Sequence, residues 1–160
     1  MLRVSLVCVG RAKAGAERDL TSRYLERAKA AGRIAGLTFE LRELDESRAR
    51  RPADRKTEEA AAIRACAGAD ARLLALDETG RALDSLGFAA LVGGARDEGI
   101  GALALVIGGP DGLAPDLRDQ AFRTLAFGAM TWPHQLVRIM ASEQLYRAVT
   151  ILTGHPYHRA

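Results

Sequence analysis

Apolar and polar positions along this chain follow two periods in turn. Residues 2–9 (LRVSLVCV) are a short apolar run rich in β-branched side chains, which predicts a buried strand. Residues 16–31 place Leu20, Tyr24, Leu25 and Ala28 on one face at helical spacing. LTFELREL (37–44) alternates with period two, as a strand with one wet face does. DESRARRPADRK (45–56) has no apolar residue larger than alanine or proline and reads as a mobile loop carrying Arg48, Arg50, Arg51, Arg55 and Lys56. A helix is expected over 57–67, with Gly68 to end it.

The second half repeats the alternation more tightly. RLLALD (72–77) reads as a strand, and DETGR as the turn after it. Asp84 is suited to cap a helix running to residue 97. ALALVI (102–107), the most apolar run, predicts a central parallel strand buried on both faces. RTLAFGAM (123–130) reads as a further short strand or extended segment, and Pro133 as the first residue of a terminal helix. Strands alternating with helices predict a single α/β domain over 1–160, with a mostly parallel sheet flanked by helices. Ligands of such sheets bind beyond the carboxyl ends of the strands, which singles out the loops after Leu76, after Ile107 and around Phe127 to Pro133.

Composition narrows the class without naming a chemistry. At 160 residues, 48% hydrophobic and 27% charged, the chain suits one globular domain. No apolar run approaches the length of a membrane span, and the N-terminal run lacks the length and cleavage site of a signal peptide, so a cytoplasmic protein with no membrane partner is expected. Cys8 and Cys66 belong to no CxxC pair and read as reduced thiols. A net charge of +3 permits a nucleic-acid partner without demanding one.

The candidate chemistry lies late in the chain. GGPDG (108–112) leaves the most buried strand, where glycines let a ligand approach the backbone; a plain tight turn explains it equally. It is neither GxGxxG nor a P-loop. LAFGAMTW (125–132) holds no acid, base or metal ligand, so anything bound there meets backbone groups and an apolar wall; Trp132 offers either a stacking surface or packing. On the terminal helix one arc collects Val137, Met140, Ala141, Leu145, Ala148, Ile151 and Leu152, and is expected to be core. Arg138, Ser142, Glu143, Tyr146, Arg147 and Thr150 share the opposite arc, expected to be either an interface or a solvated face. The tail then holds His155, Tyr157, His158 and Arg159, a better set for phosphate or base contact than for metal, since HxxH lacks further ligands.

Four motifs and a fifth segment together carry a resemblance. VIGGPDGL (106–113), MTWPHQLVRI (130–139), EQLYRA (143–148), GHPYHR (154–159) and the segment LDETGRALDSLGFA (76–89) resemble the RlmH family, SPOUT-class methyltransferases that modify N3 of a pseudouridine in bacterial 23S ribosomal RNA. The resemblance implies a SPOUT-type parallel α/β fold with a C-terminal deep trefoil knot over roughly 72–160, which topology rules alone would have excluded. It also implies a homodimer, no metal, and S-adenosylmethionine held by Leu76, Gly108, Phe127, Gly128, Ala129, Met130, Thr131 and Trp132. The substrate it implies is ribosomal RNA in the large subunit or the whole ribosome, and transfer to N3 calls for a base or a cation near the acceptor; of the candidates His155, Tyr157, His158, Arg147 and Arg159, the catalytic set expected is Tyr157 and Arg159 as contacts near the acceptor and His158 as proton acceptor. Gly128 and Trp132 depart from the residues common in the family, and the first seventy residues match it loosely. A dinucleotide oxidoreductase is disfavoured by the missing GxGxxG, and a non-catalytic ribosome-binding factor by the intact tail.

Overall fold

The structure, a computed structural model, describes residues 1–159. Among these residues the elements run β1 (Leu2–Val9), α1 (Ala16–Gly32), β2 (Leu37–Leu44), α2 (Pro52–Ala67), β3 (Arg72–Ala82), α3 (Ser85–Asp97), β4 (Ala102–Ile107), α4 (Pro115–Gln120), β5 (Arg123–Ala126) and α5 (His134–Thr153). A short 3-10 turn at 33–35 joins α1 to β2. The strands form one parallel sheet in the order β2-β1-β4-β3-β5. β4 is therefore central, and every one of its residues is buried, as its unbroken apolar run requires.

Side-chain alternation along the strands divides the core into two layers. Leu2, Val4, Leu6 and Cys8 of β1 face α1, α3 and α5, together with Leu103, Leu105 and Ile107 of β4. Val7, Val9, Ala104 and Val106 face the other way, onto Ala60, Ile63 and Ala67 of α2 and Leu117 of α4. The result is a helix–sheet–helix sandwich in which period-two strands feed both layers.

Several sequence expectations need correction. Residues 45–56 are not one mobile loop: α2 begins at Pro52, since proline is pre-set for a first helical turn. Arg55 is pinned rather than free. It grips Asp111 at 2.6 and 3.0 Å and donates to the carbonyls of Ala49 and Arg50. DETGR is not a turn that ends the strand. β3 continues to Ala82 through an irregularity, so that Leu125 pairs with both Leu76 and Arg81. The Asp77 carboxylate bends the chain there by accepting from the Thr79 N–H and hydroxyl. Gly80 sits where a Cβ would stand 2.5 Å from the Leu125 backbone. α4 was not anticipated; Pro115 at its first position was the signal. Pro133 caps α5 instead of beginning it.

The arcs of α5 also turn out rotated. Arg138, Ser142 and Thr150, expected on the outer face, are fully buried with Ala141, Leu145, Ala148 and Val149, while Val137, Met140, Ile151 and Leu152 are only partly buried. The helix can bury these polar residues because each finds a partner, although Arg138 Nε has none among the described residues. Ser142 and Thr150 donate to the carbonyls of Arg138 and Arg147, and Arg138 meets Glu43 and the Gly10 carbonyl.

Candidate functional site

The carboxyl ends of β3, β4 and β5 open onto a cavity of about 370 Å³. Its walls come from the three loops expected to bind a ligand. Leu76, Gly108, Phe127, Gly128, Met130, Thr131 and Trp132 all line it; Ala129 does not. Val137 and His134 close it from the first turn of α5.

The loop after β4 is shaped by its sequence. Pro110 and Asp111 sit at the centre of a turn closed by the Gly112 N–H on the Gly109 carbonyl at 2.9 Å. Gly108 lies so close to the returning chain that a Cβ would stand 2.9 Å from the Gly112 carbonyl carbon. The loop backbone is thus exposed to the cavity with no side chain between. Arg55 holds the Asp111 carboxyl below its ordinary range by hydrogen bonding, and so ties this loop to residues 49–55.

The loop after β5 is closed by its own contacts. Trp132 donates its indole N–H to the Phe127 carbonyl at 3.1 Å, and Thr131 donates to Glu78 at 2.6 Å. Gly128 has a φ of 95°, a turn that suits glycine. Met130 and Trp132 remain exposed at the rim.

Charged residues complete the lining: Asp77, Glu78 and Arg118, which sequence reasoning missed, and Lys56, which it placed on the basic segment 45–56 and not at this cavity. Asp77 follows Leu76 directly and was hidden by reading DETGR as a plain turn. Partial burial pushes its carboxyl up, but the Thr79 donors and the Arg118 guanidinium outweigh that and bring it below its ordinary value. Arg118 was invisible because α4 was unforeseen. Its Nη1 lies 3.3 Å from Asp77 Oδ1, while its buried Nε has no hydrogen-bond partner among the described residues.

The tail residues lie elsewhere. Tyr157 turns back onto α5, donating to Glu143 at 3.0 Å, with its ring 4.7 Å from that of Tyr146 and the Arg147 guanidinium 4.8 Å from its centre. Burial and the Glu143 carboxylate push the phenol up to about 12, so at neutral pH Tyr157 is a donor and not a base. Arg147 contacts His158 Nδ1 at 3.2 Å. Arginine has only donors, so Nδ1 can only be the acceptor if this contact is a hydrogen bond. Arg159 is exposed, and none of Tyr157, His158 and Arg159 lines the cavity of its own chain. No group of His, Cys, Asp or Glu among the described residues is arranged to hold a metal, and no helix there is long and apolar enough to cross a membrane.

Comparison with known proteins agrees with the motifs. Residues 2–158 match the family model described as "Predicted SPOUT methyltransferase". The "Ribosomal RNA large subunit methyltransferase H" of Beijerinckia indica is 58% identical over 160 residues, covering 99% of this chain and 100% of that protein. The protein of the same name from Methylocella silvestris is 58% identical over 159 residues, covering 99% of each. Among solved structures, the SpoU methyltransferase AviRb from Streptomyces viridochromogenes, in complex with AdoMet, is 17% identical with a TM-score of 0.41, covering 92% of this chain and 57% of its own.

Proposed function

This chain belongs to the SPOUT methyltransferase family, and from that membership we propose that it methylates N3 of a pseudouridine in 23S ribosomal RNA, using S-adenosylmethionine. The observation that carries the reading is the meeting of three distant loops on one cavity, lined by Leu76, Gly108 and every residue of the segment 127–132 except Ala129. The lining fits such a cofactor. Leu76, Ile107, Leu125 and Phe127 offer an apolar wall for a purine, and the bare backbone at Gly108 offers donors and acceptors to its edge.

S-adenosylmethionine, when bound, supplies a methyl already activated on sulfonium sulfur. The chain therefore needs no nucleophile; its residues must align the acceptor, exclude water and manage the N3 proton. Arg147 and Arg159 are suited to stabilise an anionic base ring, and neutral Tyr157 to orient it by donating a hydrogen bond. His158 would take the proton, which requires leaving its contact with Arg147. Arg48, Arg50 and Arg51 are exposed beside the cavity residue Lys56 and suit RNA phosphates.

The working unit in this reading is a homodimer acting in the cytoplasm on the large subunit of the assembled ribosome. Two features support it. Met130 and Trp132 are exposed hydrophobic residues of the cavity lining, Leu136 is exposed next to the cavity residue Val137, and Leu83 and Leu86 are exposed at the start of α3. The tail also lies against Glu143, six residues beyond the cavity residue Val137, about 9 Å along α5; a second copy can present its tail to a cavity that this chain's own tail does not line. Passage of the C-terminal segment through a knot belongs to the same reading, and the double pairing of Leu125 with both limbs of β3 is consistent with it.

Mass spectrometry of ribosomal RNA nucleosides from a strain lacking this chain tests the function. Loss of one methylated pseudouridine, restored by the wild-type gene, is expected; an unchanged nucleoside profile overturns it. Mixing a chain lacking 155–160 with a cavity-defective chain tests the shared site, and activity should appear only in the mixture.

A further inference from the structure

Most of the cavity is apolar or backbone, which suits a nucleoside but leaves the other end of S-adenosylmethionine unaccounted for. That end is an amino acid, with an ammonium and a carboxylate on one carbon. Burying either charge without a partner is costly, so a site that encloses this end needs opposed charges at its wall.

Five charged groups reach that wall, Lys56, Asp77, Glu78, Asp111 and Arg118, and the engagements of the last four differ. Asp111 spends both carboxylate oxygens on Arg55. Glu78 accepts from Thr131 through Oε2 alone, but it is exposed and not enclosed in the wall. Asp77 directs only Oδ1 into hydrogen bonds, from the Thr79 N–H, the Thr79 hydroxyl and Arg118. Its side chain is 14% exposed and that of Arg118 is 29%, so both sit inside the wall. Arg118 reaches Asp77 at a long 3.3 Å and Thr79 at 3.5 Å, while its buried Nε finds no partner among the described residues. A guanidinium so loosely satisfied, beside a carboxylate with one oxygen free of hydrogen bonds, is a site built for two opposite charges.

We propose that Asp77 and Arg118 form the subsite for the amino-acid end of the cofactor, with Asp77 receiving the ammonium and Arg118 the carboxylate. The inference rests on the reading that this cavity takes S-adenosylmethionine and deepens it. It assigns specificity for the amino-acid end to β3 and α4, and leaves the loop after β5 to hold the nucleoside. Arginine suits the task because its planar fork matches a carboxylate.

Isothermal titration with two thioether nucleosides tests it: S-adenosylhomocysteine, which carries the amino-acid end, and 5′-deoxy-5′-methylthioadenosine, which lacks it. The wild-type chain should bind the first more tightly. Arg118→Met and Asp77→Asn should each weaken S-adenosylhomocysteine by about tenfold or more, the scale of one charged hydrogen bond. The same variants should leave methylthioadenosine within about threefold. Equal weakening of both ligands, or no weakening of either, overturns the subsite while leaving the cofactor reading in place. If the wild type binds neither nucleoside, the cofactor reading itself falls. Lys56→Met serves as the rival: if it, and not Arg118→Met, removes the preference, the carboxylate belongs to Lys56 and the assignment is wrong. A ligand-side comparison needs no variant to fold. Decarboxylated S-adenosylmethionine should bind the wild-type chain at least about tenfold more weakly than S-adenosylmethionine, and equal affinity overturns the role of Arg118.

Discussion

Arg138 of α5 meets Glu43 of β2 at 2.7 Å, with the arginine side chain 1% exposed and the glutamate 24% exposed. The same Glu43 oxygen accepts the Ala12 N–H at 2.6 Å, and Arg138 also donates to the Gly10 carbonyl. One ion pair thus fixes the loop after β1 to the terminal helix. Its two halves are unequal. Removing Arg138 leaves a carboxylate that can still reach water, whereas removing the charge of Glu43 leaves a guanidinium sealed in the core. Glu43→Gln should therefore destabilise by about 5 kcal/mol and Arg138→Met by about 3 kcal/mol or less. Urea unfolding of both variants measures the order; the reverse order would mean that Glu43, not Arg138, is the more desolvated partner.

Glu59 shifts oppositely to Glu40, Asp77, Asp97 and Asp111, whose carboxyls are all held below their ordinary range. It is buried on α2 behind Gly109, with Oε1 accepting from the Ser47 N–H and Oε2 unpaired among the described residues. Burial raises its pKa, with Asp111 and Glu46 adding to the rise, and the Ser47 N–H and Arg55 do not cancel it. A carboxyl whose pKa is higher folded than unfolded contributes stability below the unfolded value and loses it as pH climbs through the folded one. Gln mimics the protonated form. Glu59→Gln should be more stable than wild type at pH 7 to 8, and the difference should shrink as pH falls toward the ordinary glutamate range near about 4.3. Unfolding free energies across that range test the slope; a pH-independent difference would remove titration of Glu59 as its cause.

Arg55 links the two regions that the proposed function assigns to RNA and to cofactor. Its Nε and Nη2 hold Asp111 in the loop after β4, while its Nη1 holds the carbonyls of Ala49 and Arg50 beside the exposed arginines. Arg55→Ala should leave cofactor affinity within about threefold while weakening RNA binding, because residues 48–51 lose their anchor. Amide exchange should quicken at 48–51, and the RNA binding curve should shift without losing its salt slope, since Arg48, Arg50 and Arg51, the arginines proposed to meet phosphates, remain. A reduced slope would instead make Arg55 a direct phosphate contact.

How much of this was legible in the sequence depends on where the signal lay. The strands at 2–9, 37–44 and 102–107 were readable to the residue, because buried parallel strands are continuous apolar runs or clean alternations. The cap at Asp84 was legible too, and its carboxylate accepts the Gly87 N–H at 2.7 Å. The face of α5 was not. Helical periodicity sorts residues by polarity, and Arg138, Ser142 and Thr150 are polar yet buried through partners that no helical wheel displays. The cavity loops were found from strand ends and from motifs. Asp77 and Arg118 were not, since one was concealed in an apparent turn and the other on a helix of six residues with no periodicity to read.

The crowding at Gly108 makes the sharpest test of the cavity itself. A methyl there would stand 2.9 Å from the Gly112 carbonyl carbon and 3.0 Å from its oxygen. The obstacle is backbone, not the end of a flexible side chain, so the loop must move and carry the cavity wall with it. Gly108→Ala should lower S-adenosylmethionine affinity by about tenfold or more. Gly99→Ala provides the contrast. It lies in the turn before β4 at a φ of 77° with open space around it, so it should cost roughly 1–2 kcal/mol of stability from strain and leave cofactor affinity unchanged. Calorimetry and thermal unfolding of the two variants separate a lost pocket from a weakened fold. If both lose stability and neither loses affinity, the loop after β4 does not touch the cofactor.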